Sequence, residues 1–433
     1  MKNNKLILLS FNELNFDFIK YYLKNNKYKN FSKIIDKISY TKSETQYQLL
    51  EPWIQWVSIY TGKKAEQHRI FRLGDIVNFK EETIFDQIAK NYSVGAISPM
   101  NINNNLKSPA YFIPDPWTST ISDNNFWSKT IHRTISFFVK DNAKKSFSIK
   151  NYFNLFIIII KFINFKNIYL YLFLIVTSVK YKWRKALFLD LLLNDIHLKL
   201  ICKKKVNFSN LFLNAFAHIQ HHYFLFSPAI TNVNFKIPEW YKKNNKKDPL
   251  EEALYIYDKI LGDYLSIKDY KLVMATGLTQ VPYDILKFYY RLKKHNLFFE
   301  KFNIKFFKVI ELMSRDFILQ FDNDIISKKA ADVIKNISLN SIKIFKVDNR
   351  GSNLFITLTY PHEISSKDKI FINNIDELNL IDFISFVAIK NGMHSGEGFY
   401  YDNFSKREIK EKIDIIKINK IILDFFYEKN FQS

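Results

Sequence analysis

The 433-residue chain contains a single cysteine, Cys202, which excludes an intramolecular disulfide and any zinc site built from several cysteines. One cysteine also fits a protein of a reducing compartment. A signal-peptide core is lacking, because the apolar run Leu6–Leu9 is too short and no small-residue cleavage site follows it. We therefore expect a cytoplasmic protein and interpret this run as the start of a first strand.

The most apolar stretch, residues 126–205, lacks glycine and lacks an uncharged run long enough to cross a bilayer. Its longest such run, Asn167–Val179, falls short of the roughly 18 to 20 residues that a spanning helix needs. Lys161, Lys166 and Lys180 interrupt the stretch at spacings that suit amphipathic helices. We predict a helical insertion that packs on the core as a lid, with contact to a membrane surface as the alternative.

Acidic residues are few beside basic ones: 42 Asp and Glu against 64 Lys and Arg leave a formal charge of +22. This excess suggests an anionic partner, such as nucleic acid, lipid headgroups or phosphate-rich substrates. The partner that we expect is an anionic small-molecule, glycan or lipid substrate. Codon bias explains the excess as well, because the lysines are spread along the chain. No DNA-binding or RNA-binding motif is recognisable, so we expect no nucleic-acid partner. The oligomeric state stays open.

Hydrophobic residues make up 47% of the chain, enough for the core of one large domain. Short apolar runs with helical patterns between most of them predict an α/β fold, with a mainly parallel sheet sandwiched by helices. We expect residues 1–433 to form this single domain. The predicted strands are Leu6–Phe11, Val94–Ile97, Leu211–Ala217, Lys271–Ala275 and Phe383–Ile389.

Two other patterns predict local structure. Asp248, followed by a proline and two glutamates, is typical of a helix start. The apolar runs Ser341–Val347 and Leu354–Thr359 flank Asp348–Gly351, which predicts a hairpin with a tight turn. We assign this hairpin to a small β-containing subregion at residues 335–380.

The strongest chemical signal is the run His218-Ile-Gln-His221-His222, directly after the predicted strand Leu211–Ala217. Open α/β sheets bind ligands at the carboxyl ends of their strands. Neutral imidazoles are good zinc ligands, and a three-residue spacing lets two of them converge. A solvated, aromatic-rich loop is the alternative interpretation.

A second signal is Gly392-Met-His394-Ser-Gly-Glu-Gly398, after the last predicted strand. Three glycines in seven residues let the backbone approach another group closely, and a histidine stands between two of them. An ordinary glycine turn with an incidental histidine is the alternative.

Two weaker segments could complete a site. The run Glu51–Gly62, followed by His68, carries aromatic residues and a Thr-Gly turn that would position a helix start against the sheet. Ala275–Gln280 offers hydroxyls and an amide at the end of a core strand. A plain strand-to-loop transition is the alternative for this last segment.

In this order, the segments resemble the alkaline phosphatase superfamily, in its branch of type I phosphodiesterases, nucleotide pyrophosphatases and related bacterial hydrolases. The resemblance covers roughly residues 5 to 400 apart from the helical insertion, and no single motif decides it. The matching segments are Ser10–Asn15 after the first strand, Trp56-Val-Ser58, Thr61-Gly62, His68-Arg-Ile70, the histidine run, Thr276–Thr279, and Gly392-Met-His394 with Gly398.

The departures from the family pattern fall on its metal and nucleophile positions. Counting back from Thr61-Gly62, the nucleophile position is Pro52, which has no hydroxyl. An Asp-His metal-binding pair is replaced by Gly277 and Leu278. The metal that normally activates the nucleophile has therefore lost most of its ligands, while a histidine-rich version of the second site remains.

The resemblance implies a metal-dependent hydrolase or transferase acting on a phosphoester, phosphodiester or sulfate ester, such as a surface-polysaccharide or lipid precursor. We expect one divalent metal, zinc, bound by His218, His221 and His394, with His222 as the alternative to His221. The general base would be Glu13 or Glu51. The remaining candidates are Ser58 and Thr279 for catalysis and Asn12, Gln280 and His68 for substrate binding.

The rival hypothesis is a protein that keeps the fold without the chemistry and acts as a binding or scaffold protein. Pro52 and the missing Asp-His pair favour it, and the three histidines count against it.

Overall fold

A computed structural model describes residues 4–24, 27–43, 46–140, 148–230, 235–243, 247–312, 315–372, 376–405 and 412–428. The strands in these residues are β1 Leu6–Phe11, β2 Ser39–Lys42, β3 Val94–Ile97, β4 Tyr111–Ile113, β5 Phe208–Leu213, β6 Lys271–Ala275, β7 Thr279–Leu292, β8 Lys308–Glu311, β9 Asp316–Gln320, β10 Ser338–Leu339, β11 Ile342–Lys343, β12 Phe345–Arg350, β13 Asn353–Leu358, β14 Lys369–Ile372, β15 Asp376–Asn379, β16 Ile384–Ser395, β17 Glu397–Asp402 and β18 Ile413–Asp414.

The α-helices are numbered in the same way along the chain. They are α1 Phe16–Leu23, α2 Lys29–Ile34, α3 Pro52–Thr61, α4 Ala65–His68, α5 Ile84–Ala89, α6 Phe126–Lys140, α7 Ile149–Phe162, α8 Ile168–Thr177, α9 Arg184–Lys204, α10 Ala215–Tyr223, α11 Glu239–Lys243, α12 Pro249–Leu265, α13 His295–Glu300, α14 Asp324–Asn336 and α15 Lys417–Tyr427.

The central layer is an eight-stranded sheet in the order β18-β2-β17-β6-β1-β5-β3-β4. Its strands pair in parallel except where β17 runs antiparallel to β2 and β6. β1 lies in the middle and alternates its side chains between two cores: Ile7 and Leu9 point to one cluster and Leu6 and Leu8 to the other. Because both faces are covered, the strand is apolar throughout, and the predicted α/β sandwich is confirmed.

A second, β-rich unit follows the central strands. Its four-stranded antiparallel sheet has the order β12-β13-β9-β8, and β7 and β16 form a long two-stranded ribbon beside it. These strands and helices α13 and α14 enclose a third hydrophobic cluster. The β-rich part that the sequence placed at residues 335–380 thus extends from Thr279 to Ser395.

The run predicted as one strand at Leu211–Ala217 is divided, and that prediction is wrong in its second half. β5 ends at Leu213 and α10 begins at Ala215. A buried strand and the first turn of a buried helix are both apolar, so the sequence pattern does not mark the boundary at Asn214. The histidine run therefore lies on a helix and not in a loop.

Two more predictions need correction. The strand predicted at Phe383–Ile389 is part of β16, which pairs with β7 outside the central sheet, while β17 takes the central position. The hairpin exists, but its turn lies at Gly351 and Ser352, because Arg350 still pairs with Asn353. Gly351 has a φ of +71°, which glycine adopts without strain. The turn therefore forms at this glycine, and Asp348 and Asn349, which had suggested an earlier turn, belong to strand β12.

Within the described part of residues 126–205, the regular structure is helical and consists of α6, α7, α8, α9 and one 3-10 turn at Phe165–Asn167. α9 packs on β3 and β5, α6 packs on β4, and Leu187, Leu191 and Ile196 of α9 are buried in the core. Within the described residues, no single helix has the length and apolarity to cross a membrane, whereas α7 together with residues 165–177 meets that test as a pair bent by 116°.

His197 of α9 gives the fold a pH dependence. Its ring is fully buried, with Nδ1 2.7 Å from the Tyr264 hydroxyl and Nε2 2.6 Å from Ser209 Oγ. Burial lowers the pKa of His197 from 6.5 to about 3. Above pH 6.5 the imidazole is neutral in both the folded and the unfolded chain. At lower pH, His197 binds a proton in the unfolded chain but stays neutral in the folded chain. The free energy of unfolding therefore falls as the pH falls toward 3.

We predict that His197→Gln flattens this acid dependence. Between pH 6.5 and 3, the free energy of unfolding of the wild type should fall relative to the variant by about 1.4 kcal/mol per pH unit, the value of one proton. Urea unfolding at several pH values measures the difference in free energy of unfolding between the wild type and the variant. The contributions of the other histidines are the same in both proteins and cancel. His362→Gln, at an exposed position, is the matched control; parallel wild-type and His197→Gln profiles would contradict the prediction.

Candidate metal centre

The candidate site begins where β1 ends. The backbone N–H of Asn12 donates to the Leu213 carbonyl (3.0 Å) and that of Glu13 to the Thr276 carbonyl (2.9 Å), which ties the end of β1 to the ends of β5 and β6. Glu13 has a φ of +59°, in the left-handed region that few non-glycine residues adopt. Its carboxylate is buried at the carboxyl edge of the sheet, where α/β proteins bind ligands.

Helix α10 supplies the first histidine. The helix starts directly after β5, and Asp190 of α9 accepts a hydrogen bond from the Ala215 backbone N–H at 2.7 Å. Two turns later, Nδ1 of His221 lies 3.2 Å from the Gly392 carbonyl oxygen. A carbonyl only accepts, so Nδ1 of a neutral His221 carries the proton and Nε2 carries the lone pair.

The β7–β16 ribbon supplies the second histidine, because His394 pairs in register with Gln280. This ribbon approaches α10 closely at Gly392. A Cβ added there would lie 2.2 Å from Gln280 Oε1 and 2.7 Å from the Gln220 carbonyl oxygen. Glycine at this position therefore lets His394 reach the histidine of α10.

Three ligand atoms meet at equal distances. Glu13 Oε2 lies 3.3 Å from Nε2 of both His221 and His394, and the two Nε2 atoms are 3.3 Å apart. In a tetrahedral zinc site with bonds of about 2.0 to 2.1 Å, neighbouring ligand atoms are about 3.3 to 3.4 Å apart. Among the described residues, this group has the spacing of one face of a metal tetrahedron.

Neighbouring groups orient each ligand. Nδ1 of His394 lies 3.5 Å from Glu51 Oε2, as in the carboxylate–histidine pairs that fix metal-binding imidazoles. Glu13 accepts hydrogen bonds from the Gln280 amide on Oε2 and from Asn12 Nδ2 on Oε1, the latter at 3.0 Å. Trp56 Nε1 in turn donates to Asn12 Oδ1 at 2.7 Å.

The electrostatics of the site favour a cation between the ligands. Burial would raise the pKa of Glu13, but its interactions with His394 and His221 outweigh burial and hold that pKa well below the usual range. Burial opposes a charge on His394, yet Glu13 raises its pKa, whereas burial lowers the pKa of His221 to about 4. Burial also raises the pKa of Glu51. A proton on His394 and a divalent metal would compete for the same carboxylate.

The other two histidines of α10 lie apart from this triangle. The His218 ring stacks edge-on against His222, with centroids 5.1 Å apart, and His222 is also 6.1 Å from His221. Burial lowers the pKa of His218 to about 4. His218 is therefore not part of the group that the structure brings together, and Glu13 takes the third position. The reason is that His218 and His222 stand one helical turn apart and face each other.

Ser58 and His68 pair with one another. His68 Nδ1 accepts from the Ile70 backbone N–H at 3.1 Å, so its Nε2 donates to Ser58 Oγ at 3.0 Å. The Ser58 hydroxyl donates a hydrogen bond to the Ile54 carbonyl oxygen at 3.2 Å. Burial lowers the pKa of His68 to about 4. The hydroxyl is thus used within helix α3, and nothing in this pair withdraws its proton for catalysis.

Asn12, Gln280 and Thr279, expected to contact substrate or act in catalysis, are nearly inaccessible to solvent. Asn12 and Gln280 hold the Glu13 carboxylate, and Gln280 also donates to the Ala217 carbonyl at 3.0 Å. Thr279 Oγ1 donates to the Glu397 carbonyl at 2.8 Å. Asn12 and Gln280 therefore support the Glu13 carboxylate from the buried side, and Thr279 ties β7 to β17.

A cluster of cations beside the triangle was missed from the sequence. Lys390 pairs in register with Lys287 on the ribbon, and both Lys390 Nζ (5.4 Å) and Arg315 Cζ (3.7 Å) lie over the Tyr289 ring. Burial and the charges of Arg315 and Lys390 lower the pKa of Lys287. The charge of Lys390 also acts on both site imidazoles. Lys287, Arg315 and Lys390 are spread over about a hundred positions of the chain. No regular spacing in the sequence indicates that they lie together.

Neither protein-family models nor curated proteins match the chain. It is similar to solved structures of human ectonucleotide pyrophosphatase/phosphodiesterase 5 (TM-score 0.42, 11% identity, 97% of this chain and 94% of that one) and of Sinorhizobium meliloti 1021 phosphonoacetate hydrolase with phosphonoacetate (0.39, 10%, 98% and 95%). A third is a TAB5 alkaline phosphatase mutant with bound Mg (0.41, 11%, 97% and 97%). A function for this chain rests on its own site residues.

Gly392 provides a test of this geometry. Gly392→Ala should push the ribbon away from α10, because the new methyl group would meet the Gln220 backbone, and separate Nε2 of His394 from Nε2 of His221. We expect zinc affinity to fall by about 10-fold to 100-fold, the usual effect of disturbing groups that orient metal ligands. Calorimetric titration with zinc measures it. Ser395→Ala on the same strand is the control, and equal affinity in the two variants would contradict the prediction.

Proposed function

We propose that this chain is a metal-dependent hydrolase or transferase of anionic esters, with one divalent metal, zinc, held by Glu13, His221 and His394. The equilateral arrangement of the three ligand atoms supports this proposal above all. Hydrogen bonds alone do not require two imidazole nitrogens to face one carboxylate oxygen at the same distance.

The donor set fits the metal. Two imidazoles and one carboxylate, with an open fourth position, are a recurring arrangement of catalytic zinc. Both imidazoles have a group behind them that fixes the ring, Gly392 O for His221 and Glu51 for His394. When bound there, the ion would supply a Lewis acid that polarises a phosphoryl or sulfuryl oxygen and makes water more acidic.

The protein's own groups have separate tasks in this proposal. Asn12 and Gln280 fix the Glu13 carboxylate by hydrogen bonds, and His394 and His221 hold its pKa low. In this proposal Glu13 is therefore a ligand and not the general base considered from sequence. Glu51 remains as the proton acceptor, since its side chain is 33% exposed beside His394. Pro52 begins helix α3 at the position where the resembled family has a hydroxyl nucleophile. Water, or the hydroxyl of an acceptor substrate, therefore attacks directly.

The cation cluster supports an anionic substrate. Lys390, Lys287 and Arg315 form no ion pair with any carboxylate in the described part of the chain. The charge of Lys390 also acts on Glu51. Three cations close together still repel one another, and an anion bound among them would relieve that repulsion. A phosphoester, phosphodiester or sulfate ester meets this requirement, and a surface-polysaccharide or lipid precursor would carry such a group.

A catalytically inactive binding or scaffold protein is the second candidate. Pro52 and the Gly277-Leu278 pair favour it, because they remove the nucleophile and the second metal site of the resembled family. Gly277 has a φ of +74°, and a Cβ there would lie 2.9 Å from Trp56 Nε1. This position now serves the packing of the tryptophan that holds Asn12.

The metal proposal predicts different results for histidines on one helix. His221→Ala should abolish stoichiometric zinc and reduce hydrolysis of bis(p-nitrophenyl) phosphate by about 100-fold or more, since it removes a ligand. His218→Ala, three residues earlier, should keep one zinc per chain and most of the activity. Elemental analysis and initial rates measure both effects.

Circular dichroism of both variants controls for folding. A wild type without bound zinc after incubation with it would exclude the metal site. Stoichiometric zinc without turnover of phosphodiester, phosphomonoester or sulfate-ester substrates would favour the binding protein.

Lys390→Ala tests the anion cluster. We expect KM for an anionic ester to rise by about 5-fold to 20-fold and its salt dependence to weaken, because one charge of the cluster is lost. Zinc stoichiometry should stay at one. Exposed Lys328→Ala on α14 is the matched control, and an unchanged KM in Lys390→Ala would remove the cluster from substrate binding.

A further inference from the structure

Helices α7 and α8 carry an apolar surface that the proposed function does not use. Its outward residues are between 58% and 79% exposed, although all are large and hydrophobic: Phe153, Phe156, Ile160, Tyr169, Leu172 and Val176. We call this set the α7–α8 apolar face. The six residues lie on two helices that follow each other in the chain, and exposed apolar surface of this extent marks interaction sites.

The face is not the accidental outside of an amphipathic pair. Ile158 and Phe162 of α7 and Tyr171 and Leu174 of α8 are buried against the core, so both helices are apolar on their inner sides too. α8 contains no charged residue in its ten positions. A helix that is hydrophobic all round is stable either inside a protein or in contact with lipid.

We propose that the α7–α8 apolar face docks this protein onto the surface of an anionic lipid bilayer, as a wedge that enters one leaflet. This proposal is independent of the metal site. It rests on the exposed residues of the two helices, on the bend between them and on the charges around them.

The lengths of α7 and α8 and the bend between them indicate that the pair enters one leaflet and does not cross the bilayer. At about 1.5 Å per residue, the 14 residues of α7 and the 10 of α8 are about 21 Å and 15 Å long, short of a hydrocarbon core of about 30 Å. The chain bends by 116° between the two helices, around the exposed Phe165. Such a pair suits the boundary between headgroups and acyl chains, where interfacial helices lie.

The charges around the α7–α8 apolar face indicate which partner it contacts. Residues 148–189 contain seven basic and no acidic residues. Exposed lysines stand near the ends of α7 and after α8, where their ammonium groups can reach lipid phosphates while the stems cover apolar surface: Lys150, Lys161, Lys166, Lys180, Lys182 and Lys185. A second copy of the chain would bring the same cations against themselves in a symmetric dimer, which disfavours that alternative.

The docking surface is joined firmly to the rest of the molecule. Trp183, between α8 and α9, packs 5.1 Å from the Tyr223 ring at the end of α10, and its Nε1 donates to Glu252 at 2.8 Å. Arg184 makes a nearly buried ion pair with the same carboxylate. A membrane contact would therefore fix the orientation of the helix that carries His221.

Vesicle flotation tests the proposal with the full chain. The wild type should float with vesicles of phosphatidylcholine and phosphatidylglycerol, and much less with phosphatidylcholine alone. The quadruple variant Phe156→Ser, Tyr169→Ser, Leu172→Ser and Val176→Ser should bind the anionic vesicles at least about tenfold more weakly. The control carries four serines at similarly exposed sites elsewhere, Ile121, Phe307, Ile325 and Phe371, and should float like the wild type.

A charge variant, Lys166→Glu with Lys180→Glu and Lys182→Glu, should lose the preference for anionic vesicles. A wild type that stays unbound, or serine variants that bind alike, would overturn the proposal. So would a wild-type dimer that the patch serines turn into a monomer, because the face would then join two copies. Zinc stoichiometry should be the same in all variants, so failure of docking and failure of the metal site are separate results.

Discussion

The structure depends on a buried carboxylate at the end of the first strand. Glu13 has almost no solvent exposure, and a buried charge of this kind is costly unless hydrogen bonds and opposite charges compensate it. Gln280, Asn12 and the two imidazoles provide that compensation. The need to satisfy one oxygen atom thus brings together the end of β1, helix α10 and the β7–β16 ribbon.

The same constraint explains why the surrounding residues are specialised. Asn12 uses its amide N–H on Glu13 and its carbonyl on the Trp56 indole, while Gly392 permits the ribbon to come within contact of α10. Each of these groups is buried and has little freedom to serve another role. In the proposed function, substrate contact falls to the partly exposed groups around the triangle, namely Glu51 and the cations of the ribbon.

The large helical insertion separates two physical tasks. Its inner helix α9 packs on the central sheet and supports the start of α10 through Asp190. Its outer helices α7 and α8 expose large apolar side chains that the core does not need. Helix α9 contacts both α10, which carries His221, and the outer helices α7 and α8.

The amino-acid sequence by itself determined the α/β architecture, the first strand, the helix start at Asp248 and the helices of residues 126–205, because strand and helix signals are local. It also singled out the segments around His221 and His394 as candidates. Only the tertiary structure decided that Glu13, and not His218, completes the triangle, that Asn12 and Gln280 support it from behind, and that Lys287, Arg315 and Lys390 gather. Those outcomes depend on the boundary between β5 and α10, on strand register and on contacts across hundreds of residues. A helix turned by one residue presents a different histidine, and no local pattern contains that information.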